Sequence, residues 1–224
     1  MSTIGRLKRQ SMSALLRVTA ILLVVATEAA ISGCASAPVR SASSTRWSIT
    51  VLGDSTDPRF IAVQEAAGYW NRQLEAVGSR LRFDRITSSS LRLPEQDLRD
   101  LSATVVRQER VRQPPDFNRI EGDVIVALSS SPDITSIGIN PERFGGRGLV
   151  VLRPAQLPPL SVPNVARNVA AHELGHVLGL RHNALPGTLM CMPPAPCRPL
   201  SFASDTVVFF PLDEAERQFL HRRR

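Results

Sequence analysis

The sequence has a single lysine, Lys8, and a single tyrosine, Tyr69, with three cysteines and four histidines in 224 residues. Its basic charge is therefore almost entirely arginine, and the arginines are scattered among Asp and Glu. There is no basic stripe interleaved with aromatics, and no standard nucleic-acid-binding motif. The formal charge of +7 thus describes a solvated, mildly basic surface and excludes a nucleic-acid partner. A membrane-spanning run is also missing: the low-polarity stretch Val18 to Thr27 would cover ~15 Å as a helix, half of a ~30 Å bilayer core. Past the first 45 residues there is no repeat, second linker or low-complexity block. Gly145, Gly146 and Gly148 lack the strand–glycine–helix context of a phosphate cradle, and mark a turn.

What is present begins with a leader. Arg6, Lys8, Arg9 and Arg17 flank or precede the Val18–Thr27 run, and residues 1–33 together read as an export signal. Ile31-Ser32-Gly33-Cys34 resembles the lipobox of bacterial lipoproteins. That resemblance implies cleavage before Cys34, a lipid on its thiol, and a protein tethered in the bacterial cell envelope, in the periplasm, on the outer membrane face or outside the cell. Residues 34–45 are small and polar, as a flexible tether should be. Removing residues 1–33 takes away four basic groups and Glu28, which lowers the formal charge from +7 to about +4. The remainder, 46–224, is long enough for one domain with a real core, expected as a monomer.

Within it, Trp47–Leu52 reads as a strand. Asp57-Pro58 opens a helix as N-cap and first helical residue; Phe60, Val63, Ala67, Trp70, Leu74 and Val77 recur at helical spacing, and Gly78 closes it. Leu81–Ile86 alternates like a half-buried strand. Leu91–Gln113 is ambiguous, with Leu98, Leu101 and Val105 hinting at a helix that Pro114-Pro115 would end. Asp123–Leu128 reads as a central strand, and Thr135–Ile139 and Gly148–Leu152 as two more. Near the end, Asp213 and Glu216 form a capping-box pattern for a last helix, on which His221 is a surface residue.

The chemistry is concentrated in His172-Glu173-Leu174-Gly175-His176-Val177-Leu178-Gly179-Leu180-Arg181-His182. On a helix, His172 and His176 stand one turn apart on the same face and can reach one Zn²⁺. Glu173 lies beside them, close to the metal without being a ligand, as a general base must be. Gly179 can end the helix with positive φ, so that His182 turns back as a third ligand. Three neutral histidines leave a fourth position open, which is the pattern of a catalytic site.

These residues resemble the metzincin zinc metalloproteases, whose motif H-E-x-x-H-x-x-G-x-x-H is matched at every fixed position. Asn183 to Met190 is similar to the matrixin form of the Met-turn, which makes Met190 the methionine under the zinc. The resemblance implies an α/β zincin-like domain: a twisted mixed sheet of about five strands, three main helices, and the motif on the active-site helix. It implies one catalytic Zn²⁺ and hydrolysis of protein or peptide substrates, with Thr135–Ile139 as the edge strand that receives the substrate main chain. The chain departs from the family in several respects. It has no second histidine cluster, no acidic calcium loop, no latency cysteine, and Met192 where some members carry tyrosine. Asn183 matches no major subfamily.

With Cys34 assigned to lipid, Cys191 and Cys197 remain in a compartment where disulfides persist, and a bond between them is expected. Two free thiols, or Cys191 as a fourth zinc ligand, are the alternatives. For the chain as a whole the alternatives are a lipid-anchored zinc-containing binding module without catalysis, and a structural site that stabilises a small envelope domain.

Overall fold

The computed structural model describes residues 45–158, 160–192, 197 and 207–223. The export signal, Cys34 and the tether up to residue 44 lie outside these. Among the described residues no helix is long and apolar enough to cross a membrane.

Five strands form one sheet: β1 (Arg46–Leu52), β2 (Arg82–Ser89), β3 (Val124–Leu128), β4 (Ile137–Ile139) and β5 (Gly148–Leu152), in the order β2-β1-β3-β5-β4. The first four run parallel, and β4 is antiparallel to β5 at the edge. β3 and β5 are buried along their whole length, because both faces of the sheet are covered. Alternate residues feed two cores. Val124, Val126, Val150 and Leu152 join α1 (Pro58–Ala76) and α3 (Pro163–Val177) on one face. Ile125, Ala127, Leu149 and Val151 meet α2 (Glu95–Val106) on the other. A final helix, α4 (Glu214–Arg222), adds Leu220 to the first core.

The local sequence accounts for the ends of these elements. Asp57 caps α1 by accepting from the Arg59 N–H, and Asp213 and Glu216 make the reciprocal capping box of α4. α2 makes a fourth helix beside the three main ones expected. Pro114-Pro115 does not end it. The helix stops at Val106, where Gln108 takes a left-handed φ of 58° and the Glu109 N–H returns to Thr104, while the prolines start a separate short 3₁₀ turn, Pro115–Arg119. β2 runs on to Ser89, and the Thr135–Ile139 strand is shorter than expected, beginning at Ile137.

β4 is pressed onto α3. Ile137 and Ile139 point into the second core, and Gly138 faces the helix, where a Cβ would stand 2.1 Å from the Glu173 carbonyl oxygen and 2.8 Å from His176 Cβ. The first obstacle is backbone and cannot rotate away. Gly138→Ala is therefore expected to destabilise the metal-free protein by roughly 3 kcal/mol, the upper end of ordinary overpacking. Chemical denaturation measures this, and an unchanged midpoint would show that β4 and α3 are not so tightly apposed.

Candidate metal centre

α3 carries four polar side chains spaced by one turn: Asn164, Asn168, His172 and His176. The two asparagines hold an extended segment alongside the helix. Asn164 Oδ1 accepts from the Val208 N–H; Asn168 donates to the Val208 carbonyl and accepts from the Phe210 N–H. Farther along, the Leu189 N–H donates to the Pro211 carbonyl. The same helix thus positions both the histidine rings and the turn packed beneath them.

The helix ends in a Schellman motif. Gly179, at φ 92°, lets its own N–H reach His176 and the Leu180 N–H reach Gly175, and the chain reverses towards His182. His172, His176 and His182 then converge. Their Nε2 atoms are 3.2 Å (His172–His176), 3.1 Å (His172–His182) and 2.9 Å (His176–His182) apart. Three nitrogens bound tetrahedrally at ~2.0–2.1 Å from one ion lie roughly 3.3 Å apart, so the spacing fits a metal.

Hydrogen bonding strengthens this assignment. His172 Nδ1 donates to the Leu189 carbonyl at 2.8 Å, and His176 Nδ1 donates to the Leu180 carbonyl at 2.9 Å. A neutral imidazole that donates from Nδ1 has a lone pair at Nε2. Two lone pairs therefore face each other about 3.2 Å apart, an arrangement that a bound cation would stabilise. Burial pushes the His176 pKa down to about 4; its bond to Leu180 opposes this and the charge of His182 adds to it. Burial of its ring also lowers His182, although the residue as a whole is exposed. Both rings are thus neutral near pH 7, the form that binds metal. The three histidines could hold a zinc ion.

Glu173 is buried, at 6% exposure, and is not part of the histidine cluster. Met190 is fully buried, and a Cβ on Gly175 would stand 2.6 Å from its sulfur, so the thioether lies against the helix between the two histidine turns. Cys191 and Cys197 are joined as a disulfide with Cα atoms 5.4 Å apart, so neither is a free thiol and Cys191 is not a fourth ligand. Met192 is exposed. Tyr69 is not a substitute for the missing tyrosine: it is buried, its hydroxyl donates to the Phe210 carbonyl, and burial raises its pKa.

Several contributors to the centre carry no sequence motif. Gly138 and Gly175 matter through what they touch, and Leu180 and Leu189 act through backbone carbonyls. The four-residue spacing of Asn164 and Asn168 from the histidines is a signal that could have pointed to those two, and it went unread in the sequence.

No protein-family model and no curated protein sequence matches the chain. Among solved structures it is similar to archaemetzincin from Methanopyrus kandleri, with 18% sequence identity, 82% of this chain and 97% of that chain covered, and a TM-score of 0.46.

Proposed function

We propose that the chain is an exported zinc-dependent endopeptidase of metzincin type, matrixin-like in its Met-turn, acting from a lipid anchor on Cys34. The observation that carries the reading is the convergence of three Nε2 atoms, two of them turned inward by backbone carbonyls. His172, His176 and His182 would hold one zinc ion. Zinc bound there would polarise a peptide carbonyl and lower the pKa of water towards ~7. Glu173, next in sequence to the first ligand and shielded from bulk solvent, is the general base. It accepts a proton from the attacking water and delivers it to the leaving amine. With Tyr69 engaged elsewhere, no tyrosine assists the developing charge. Among the described residues β4 pairs on one side only, with β5, and its other edge suits an extended peptide backbone added as a further strand.

The test is digestion of a peptide library by the mature protein, with products read by mass spectrometry. Cleavage should stop when a chelator removes the metal and return when zinc is restored. Zinc-loaded protein that cuts nothing would favour the binding module.

The anchor has a separate test. Cys34→Ser is expected to release the protein from the membrane fraction or leave it unprocessed. Unchanged fractionation, with cutting still at Gly33/Cys34, would remove the lipobox reading.

A further inference from the structure

His182 is oriented differently from its two partners. A backbone carbonyl fixes Nδ1 of His172 and of His176, whereas among the described residues none is bonded to Nδ1 of His182. His182 is also the exposed member of the three. Its position must therefore come from the backbone that carries it, and the next residue is Asn183.

Asn183 is the most heavily bonded residue of this loop. Its N–H donates to the Met190 carbonyl and its carbonyl accepts from the Met192 N–H, each at 3.0 Å, clipping the loop to the Met190 turn as an isolated bridge with Cys191. Nδ2 donates to Asp213 Oδ2 at 3.0 Å and to Glu216 Oε1 at 2.7 Å. Oδ1 accepts from the Leu185 N–H at 2.9 Å and lies 3.0 Å from the Thr188 hydroxyl, whose one proton it shares with the Leu185 carbonyl at 2.8 Å. Both amide hydrogens are used and the oxygen accepts the Leu185 N–H, and a flipped amide would turn its oxygen onto two carboxylates. The residue type is thereby dictated. Aspartate would set a third carboxylate against Asp213 and Glu216, and a shorter side chain would leave both groups without this donor.

We infer that Asn183 is the positioning residue of the third imidazole, locking His182 to the Met190 turn and to the capped end of α4. The inference rests on the zinc reading of the three histidines. It also explains why this chain departs from the family pattern at the position after the third histidine: the amide is matched to the acidic capping box of its own last helix.

The test exchanges donor and acceptor. Asn183→Asp removes the donor, and Glu216→Gln supplies one from the other side while keeping an oxygen for the Asp213 N–H. Zinc affinity is measured by chelator competition, and ligand geometry by the visible spectrum of the cobalt-loaded protein. Each single variant should weaken zinc binding by about 10–100-fold, the usual effect of losing an outer-shell partner, and shift the cobalt spectrum. The double variant, with the same net charge as wild type, should recover most of the loss, as coupled neighbours do. A merely structural role would lower thermal stability and leave affinity and spectrum unchanged. That result, or a folded double variant no better than Asn183→Asp, would overturn the inference. If Asn183→Asp does not fold, Glu216→Gln against the double variant makes the same comparison. Wild-type protein that binds neither metal would instead overturn the zinc reading, and this inference with it.

Discussion

His176→Ala is expected to abolish tight zinc binding, with an affinity loss greater than the ~100-fold at which outer-shell changes end. The substitution removes one of three nitrogens and leaves the Leu180 carbonyl without its imidazole donor. Two rings remain, one of them exposed, and a two-nitrogen site does not hold zinc against competing chelators. Equilibrium dialysis with metal analysis measures this directly. Stoichiometric zinc retained by the variant would show that His176 is not a ligand.

Glu173→Ala should behave oppositely with respect to metal. It should fold and keep its zinc, yet lose at least ~10² in peptide hydrolysis, because positioned proton transfer ordinarily contributes 10²–10⁴-fold. That floor corresponds to about 2.7 kcal/mol of barrier. Glu173 is buried, so Glu173→Gln, of nearly the same shape, is the companion that separates loss of the base from loss of packing. Both should show this loss with full zinc content. Undiminished turnover in the glutamine variant would place the proton transfer elsewhere.

The elements of the fold were legible where local chemistry decided them. Asp57-Pro58, Gly78, Gly179 and the Asp213/Glu216 box each fix a chain direction through a cap or a left-handed residue, and each stands at a helix end in the structure. β3 and β5 were legible because they are short apolar runs with no polar alternation, as strands buried on both faces must be. The end of α2 was not legible. Gln108 adopts a conformation that glycine usually marks, and the prolines six residues on gave a misleading stop. The three converging imidazoles could be placed from helical spacing and a glycine turn, since every step between them is local.

What surrounds the rings could not be read in the same way. Asn183 finds its carboxylates 30 and 33 residues away, and Gly138 owes its identity to a helix backbone that only the tertiary fold brings to it. Such residues carry no pattern in one dimension. In the sequence Asn183 stood out only as a mismatch to the subfamilies the motif resembles; its partners Asp213 and Glu216 become visible only in the fold.

On the proposed reading, three imidazoles of this chain hold one zinc ion. Anomalous scattering at the zinc edge, from crystals of zinc-loaded protein, tests it most directly. The expected result is a single peak per chain, ~2.0–2.1 Å from Nε2 of His172, His176 and His182. Loaded crystals with no peak between these nitrogens, or with the zinc bound by other residues, would contradict the account.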